Sequence, residues 1–343
     1  MYGFLIGVGV LLLLSIIWMV YRIQTLVSVV KGSDKKIASG SNKVNAILFI
    51  VFLVGAGALM FWYSIKEFDN YQLPIASEHG VVTDSLFWWS MAITGIVFLI
   101  THVLLFIFPY KYQYSEKRKA SFYPDNNKLE IIWTIVPAVV LAGLVISGWM
   151  AWSDITAPAP ENAHTVEILG SQFNWDIRYP GKDQVLGDYD YRLITASNAQ
   201  GIDFTDKNAL DDFSSPVVVI PKGEPVLFKI RARDVLHSVF APHMRLKMDA
   251  VPGMPTRFWF VPTKTTAEMR EETGNPEFNY EIACTEICGR GHFSMRRVIE
   301  VVEPEEYQKW FASQKTFIQN NPALATGLPS DAKELAEIQF SEK

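Results

Sequence analysis

Cysteine is nearly absent from this chain: 343 residues hold two, Cys284 and Cys288. No second cysteine pair exists to close a structural zinc tetrahedron, and no Cys-x-x-Cys-His occurs to attach a c-type haem. Charge is missing too, over long stretches. Gly3–Val20, Val44–Ile65 and Ile131–Ser153 carry none, and Ser85–Tyr110 has only His102 as a titratable group. Runs of that length without charge exclude a wholly soluble protein and predict membrane helices. The front end, Met-Tyr-Gly-Phe, lacks the basic n-region of a cleaved signal peptide, so the first run counts as a helix. The expected spans are about 3–20, 44–65, 85–110 and 131–153. With a net charge of −5, no nucleic-acid partner is expected.

Basic residues orient these helices. Arg22, Lys31, Lys35, Lys36 and Lys43 lie between the first two spans, and Lys111, Lys117, Arg118, Lys119 and Lys128 between the third and fourth. The loop from Lys66 to Asp84 has Lys66 alone. Both termini are therefore expected outside, with everything after Ser153. Within the spans, Pro137 predicts a kink, and His102 reads either as a functional ionisable group or as a neutral histidine bonded to a neighbouring helix. Trp88, Trp89, Trp149 and Trp152 suit the membrane interface. Glu130, at the inner edge of the fourth span, reads from its position as an interfacial carboxylate in a first helical turn.

Beyond the fourth span, Ile155-Thr-Ala-Pro-Ala-Pro-Glu reads as a stiff linker. Short segments rich in Val, Ile, Phe, Tyr and Trp follow, broken by Gly and Pro. Strands are predicted at 165–170, 173–179, 189–195, 217–220, 225–232, 238–241, 256–261, 278–284 and 295–302. With no helices expected between them, they form a Greek-key sandwich or barrel. The chain thus divides into a membrane region over 1–153, a linker over 154–163, a β-domain over 164–304 and a C-terminal helix and tail over 305–343. The fold class is a membrane-anchored all-β protein with four transmembrane helices in front.

Both cysteines fall in Glu281-Ile-Ala-Cys-Thr-Glu-Ile-Cys-Gly-Arg-Gly-His-Phe-Ser-Met295. Thiolates, the imidazole of His292 and the thioether of Met295 form a soft ligand set suited to copper. A second thiolate suggests two metal ions sharing bridging sulfurs. A disulfide is the plainer alternative in an exported domain. The nearby His292 and Met295, with Gly289 and Gly291 letting the loop turn back, favour metal. One more histidine is needed; His237, 47 positions before Cys284, and His243 compete for the place, and His164 and His79 suit it less.

Cys284-Thr-Glu-Ile-Cys-Gly-Arg-Gly-His-Phe-Ser-Met295 is similar to the CuA motif of cytochrome c oxidase subunit II. Asp234-Val-Leu-His-Ser, Lys247-Met-Asp-Ala-Val-Pro-Gly and Asn127-Lys-Leu-Glu-Ile-Ile-Trp-Thr-Ile-Val-Pro resemble other parts of that family, here a bacterial type with extra N-terminal helices. The resemblance implies a cupredoxin fold holding a dinuclear copper centre (CuA). In it Cys284 and Cys288 bridge the metals, His237 and His292 cap one each, and Met295 and the Glu286 carbonyl are weak axial ligands. It further implies magnesium at the Glu286 carboxylate, shared with the haem-bearing subunit I, and a proton pathway opening at Glu130. The family's Gln-Trp-aromatic-Trp stretch, which receives the electron, reads Gln172-Phe-Asn-Trp175 here. Phe173 and Trp175 are accordingly the candidates for electron input, with Trp175 favoured for its larger ring.

The implied function is the electron-accepting subunit of a proton-pumping terminal oxidase. It takes single electrons from a c-type cytochrome, or from a docked cytochrome-reducing complex, and passes them to haem in subunit I. The setting is a bacterial inner membrane, with lipid and other oxidase subunits as partners and the C-terminal domain on the periplasmic side. A copper-free quinol oxidase subunit would lack these cysteines. A stand-alone membrane-tethered copper-binding or chaperone protein would not need Glu130, and a nitrous oxide reductase would add a propeller domain. From Asp176 to Asp212, eight aspartates face four basic residues, a charge balance that would steer a basic cytochrome.

Overall fold

The computed structural model describes residues 2–32, 34–115, 118–325 and 328. Lys117 and the tail beyond 328 lie outside the described residues. Four long apolar helices come first: α1 (Tyr2–Val30), α2 (Asp34–Lys66), α3 (Glu78–Lys111) and α4 (Asn127–Thr156). By length and composition each can cross a membrane. They outrun the predicted apolar runs because polar residues extend the hydrogen-bonded ladder at their ends, and Pro137 falls inside an uninterrupted α4. The chain forms two compact units, residues 1–72 with 90–137, and residues 73–89 with 138–343. In the first, Phe106 of α3 packs against Phe49 and Phe52 of α2, with ring centroids 5.8 and 5.4 Å apart.

The second unit carries a two-sheet β-domain. Its strands are β1 (His164–Ser171), β2 (Asn174–Tyr179), β3 (Phe213–Ser214), β4 (Val218–Pro221), β5 (Val226–Ala232), β6 (His237–Ala241), β7 (Leu246–Ala250), β8 (Thr256–Phe260), β9 (Tyr280–Cys284) and β10 (Arg296–Val302). One sheet runs β3-β2-β1-β5-β8 and the other β4-β10-β9-β6-β7. β1 lies parallel to β5 and β4 parallel to β10, so crossovers tie the chain into a closed two-layer sandwich. Alternation drives the packing: Val226, Phe228 and Ile230 of β5 are buried while Lys229 between them is exposed. Each such side chain contributes about 1.5–3 kcal/mol by leaving water. The expected all-β sandwich is borne out.

Besides two strands that were not expected, β3 and β7, three details differ from expectation. The stretch 189–195 is not a strand but a short 3-10 turn, Tyr191–Leu193, in which the Arg192 amide bonds the Asp190 side chain. Asp183, Asp203 and Asp206 form similar local turns, and such carboxylates compete with ladder formation. A helix, α5 (Thr266–Thr273), does intervene between β8 and β9. It opens on a capping box of Thr265 with Glu268 and closes on Gly274 at φ 63°. After β10, α6 (Pro304–Ala312) and α7 (Phe317–Asn320) pack back on the domain, with Tyr307 and Ile318 buried. The third detail is the segment 73–77 before α3, expected to be plain outer loop. Ala76 and Ser77 are fully buried within the second unit, Ala76 donating to the His243 carbonyl and accepting from Thr263.

A charged network also lies inside the domain. Glu167 is buried between Arg178 and Arg231, its oxygens 2.7 and 2.8 Å from their Nε atoms. Arg178 Nη1 reaches Asp212, 3.1 Å away. Asp212 accepts from the Gly187 amide through the same oxygen, while its Oδ1 is buried without a partner. Burial therefore outweighs the guanidinium and raises the Asp212 pKa from 3.8 to about 7. A carboxyl raised this way favours the folded state below its unfolded pKa, and that contribution is lost as pH climbs towards 7. In Asp212→Asn, whose amide oxygen keeps both bonds, the stability relative to wild type should rise by up to ~1.4 kcal/mol per pH unit between about pH 4 and 7. Denaturant titrations of the detergent-solubilised chain at pH 5 and 7 measure this; a gap that does not change with pH would refute it.

Candidate metal centre

The site forms where the start of β6 meets the end of β9. Val239 pairs with Cys284 and Phe240 with Ala283, which sets His237, two residues earlier on β6, beside the Cys284 sulfur. The loop after Cys284 is tied down at once. The Thr285 amide bonds the Ser238 carbonyl, and the Cys284 amide bonds that of Met295, so the loop starts and ends on the sheet. In between, His292 starts a 3-10 turn, His292–Ser294, that returns the chain to β10.

Both cysteines are free and buried, with sulfurs 3.9 Å apart, far beyond the ~2.05 Å of a disulfide. His237 Nδ1 lies 3.9 Å from the Cys284 sulfur, and His292 Nδ1 lies 3.6 Å from that of Cys288. The Glu286 carbonyl is 3.2 Å from Cys284, and the Met295 thioether 3.9 Å from Cys288. The ligand atoms of His237, Cys284 and Cys288 fall within 4.8 Å of one another. Burial and the neighbouring Cys284 push the Cys288 thiol up to about 11, so a cation binding here has protons to displace. Two sulfurs flanked by two imidazoles, with a thioether and a carbonyl behind, fit soft metal ions of the copper kind.

Two positioning residues escaped sequence reasoning. Asp234 accepts from the amides of Gln172 and Val235, both at 2.8 Å, and its Oδ1 lies 2.9 Å from His237 Nε2. Burial raises its pKa, but the bonds from Gln172, His237 and Val235 outweigh that and hold it below the usual carboxylate range. The arrangement leaves the proton on Nε2 and the Nδ1 lone pair facing the sulfur. A carboxylate three residues before a candidate ligand was the available signal. The Gln172 side chain bonds the Cys288 carbonyl at 2.6 Å, a bond that the motif it heads does not reveal.

The two aromatic candidates part company. Phe173 is 39% exposed and lies on the metal loop, where a Cβ at Gly291 would come within 2.5 Å of its ring. That close approach, and a φ of 132° at Gly289, explain the two glycines. Trp175 is fully buried, its ring edge towards His237 with centroids 5.8 Å apart. The preference for Trp175 as a contact surface therefore fails on burial, since a ring with no exposed area cannot touch a donor.

The remaining candidates fall elsewhere. His243 spends Nδ1 on the Pro74 carbonyl, 3.0 Å away, and packs against Phe278 and Tyr280. His164 pairs with Glu224, and His79 stands edge-on to Trp259. In the first unit, His102 bonds the Phe98 carbonyl one turn back. Glu130 is exposed in the first turn of α4, which Asn126 caps through the Leu129 amide.

Fold and site define a membrane-anchored protein whose cupredoxin-like β-domain holds a buried His–Cys–Cys cluster with the donor atoms to hold a metal ion. The profile "Cytochrome C oxidase subunit II, periplasmic domain" matches residues 164–302, and the transmembrane-domain profile of the same family matches 62–148. The chain is 32% identical over 284 residues to the alternative cytochrome c oxidase subunit 2 of Bradyrhizobium diazoefficiens, covering 79% of this chain and 93% of that protein. To cytochrome c oxidase subunit 2 of Metridium senile it is 28% identical over 259 residues, covering 74% and 96%. Among solved structures, the periplasmic domain of subunit II of cytochrome oxidase of Bradyrhizobium japonicum matches at a TM-score of 0.31 and 23% identity, covering 45% of this chain and 94% of that one. This chain belongs to the cytochrome c oxidase subunit II family.

The geometry separates the histidines. Copper titrated into the purified full chain should bind at two per chain, read by metal analysis and by the optical and EPR spectra. Cys284→Ser and Cys288→Ser should each abolish the spectrum, because a hydroxyl neither ionises nor bridges as a thiolate does. His237→Asn should disturb it, while His243→Asn should leave it intact and lower only the melting temperature. Equal spectral effects from the two histidine changes would remove His237 from the site.

Proposed function

We propose that this chain is the electron-accepting subunit of a cytochrome c oxidase. The observation that carries the reading is the pair of buried, unbonded thiols, each with an imidazole nitrogen beside it, in a member of this family. Copper held there would supply one-electron redox chemistry between a c-type cytochrome donor and haem in subunit I, where oxygen is reduced and protons are pumped. In this reading His237, His292, Cys284 and Cys288 would hold the metals, with the Met295 thioether and the Glu286 carbonyl as further donors. The Glu286 carboxylate is assigned to magnesium at the subunit I interface.

The residues around the metals act by holding still. Asp234 fixes the tautomer and angle of His237, and Gln172 ties Asp234 to the Cys288 carbonyl. Ligands built into two strands and a braced loop change geometry little between redox states, which keeps reorganisation small. Phe173 offers the exposed ring a donor can touch, and Trp175 fills the space behind it against His237.

We assign residues 1–153 to the membrane region, 154–163 to a linker, 164–304 to the metal domain and 305–343 to its C-terminal cover. The basic loops support a domain on the outer face of the membrane, which in this reading is the periplasmic side of a bacterial inner membrane, with lipid and the other oxidase subunits around the helices. The donor is a c-type cytochrome or a docked cytochrome-reducing complex. The acidic stretch supports the former a little less than its composition suggests, because Asp212 is buried with its carboxyl pushed up to about 7.

Stopped-flow reduction by a c-type cytochrome tests the electron-accepting surface. Phe173→Ala should slow reduction on the order of tenfold, the loss of one aromatic anchor, with the copper spectrum unchanged. An unchanged rate would show that the donor docks elsewhere.

Glu130 carries a separate expectation. It sits at the inner end of α4, where a carboxylate can exchange protons with the cytoplasm. Glu130→Gln keeps the shape and removes the exchangeable proton, so oxygen consumption by the whole complex should fall on the order of 10²-fold. Reduction of the copper centre should stay fast. Normal turnover in a complex with full haem and copper content would return Glu130 to an interfacial role.

A further inference from the structure

Arg245 has an unusual backbone. It closes a short 3-10 turn, Pro242–Met244, directly after β6, and stands at φ 51° in the left-handed region. A non-glycine residue there costs free energy that glycine would avoid. Its side chain offsets that cost with a nearly full set of bonds. Nε and Nη2 grip both oxygens of Asp84, in the second turn of α3, at 2.6 and 2.8 Å. Nη2 also reaches the Leu73 carbonyl and Nη1 the Pro242 carbonyl, each at 2.7 Å. Both partners are half-buried, so the fork is shielded beyond what a surface ion pair enjoys.

The surrounding contacts aim the same way. The Ala76 amide bonds the His243 carbonyl at 2.8 Å, and the Ser77 hydroxyl bonds that of Met244 at 2.7 Å. On the other flank Thr263 donates to Ala76 and Glu78 donates to Val261. Segment 73–77 is thus pinned between the turn after β6 and the end of β8. Gly80 permits the close approach, since a Cβ there would fall 2.5 Å from Ile75 and 3.3 Å from Arg245. The far end of the same face is held by α4, whose Asp154 and Thr156 carbonyls accept from Trp259 and Arg257. β6 carries His237 at one end and this clamp at the other.

We propose that the Arg245–Asp84 pair, with segment 73–77, is a positioning clamp: it fixes how the β-domain is carried on the first turns of α3, and thereby the geometry for passing an electron from the metal centre to haem in subunit I. It rests on the electron-accepting role proposed above. One electron leaves the metal centre, which is oxidised, and arrives on the haem, which is reduced; no proton or co-reactant is involved. Transfer between fixed centres depends steeply on their separation, so a loosened domain slows this step while leaving the outward-facing step from the donor alone.

The test uses the intact complex with Arg245→Gly and Asp84→Asn. Glycine suits the left-handed backbone, so the first variant removes the fork without straining the turn. In both, the copper spectrum and reduction by external cytochrome should match wild type, while onward transfer to haem, followed after flash initiation, falls on the order of ten- to a hundredfold. The exchanged pair Asp84→Arg with Arg245→Asp should recover most of the rate, because aspartate tolerates the left-handed region. Amide hydrogen exchange at Ala76 and Glu78, which needs no metal, should speed up in each single variant. Onward transfer within twofold of wild type, unchanged exchange, or equal loss of both electron steps together with the spectrum would each overturn the clamp. A wild-type complex without the copper spectrum would instead sink the electron-accepting role, and the exchange measurement would still decide whether the pair clamps the segment.

Discussion

The register of β6 against β9 is the constraint on which the rest depends. Two residue pairs, Val239 with Cys284 and Phe240 with Ala283, join these strands. They place His237 and Cys284 side by side in the buried layer, and the Thr285–Ser238 bond carries the alignment into the loop. A slip of one residue would send His237 to the opposite face and leave the Cys284 thiol without its imidazole. Because Cys284, Cys288 and Met295 also belong to the main hydrophobic core, the site is part of the packed interior rather than an addition to its surface. Its rigidity and its dryness have one cause.

That origin bears on how the site reads in sequence. Cys284, Cys288, His292 and Met295 sit within twelve residues on one braced loop, so their spacing survives in the linear pattern. His237 is 47 positions away, and only pairing between strands decides it over His243. The structure decides on two grounds: His237 faces the sulfur, and His243 has its nitrogen engaged by Pro74. The strands were legible where apolar residues alternate, as in β5. They were not legible at 189–195, where apolar residues are present but aspartates capture the backbone amides. The helix α5 did have a signal in Thr265-Thr-Ala-Glu268 with Gly274 behind it, a capping box over a segment too polar to show amphipathic periodicity.

What the sequence hides most completely is long-range polar pairing. Glu167, Arg178, Arg231 and Asp212 look like ordinary alternating surface charges along their strands, and all four are buried. Such a network stabilises little by itself, because desolvation consumes most of the attraction, yet removing one member leaves the others uncompensated in low dielectric. Segment 73–77 is hidden for a related reason. Leu-Pro-Ile-Ala-Ser is too short to show a period, and its partners lie about 170 positions further on.

The division between what is buried and what is exposed at the metal end follows from one geometric fact. Gln172 and Asn174 point outward around Phe173, while Trp175 returns to the interior as β2 takes up its register with Gly170 of β1. Gly170 has no Cβ, and that gap admits both the Trp175 ring and the His237 imidazole, which a methyl group would meet at 2.9 and 3.0 Å. The indole is therefore committed to supporting His237, its nitrogen left buried without a partner. The neighbouring ring that remains at the surface is a phenylalanine lying on two glycines of the metal loop. The exposed ring of Phe173, in the turn before β2, and the buried ring of Trp175, within it, are thus only two positions apart, and a change at Phe173 leaves the packing against His237 in place. A change at Trp175 does not.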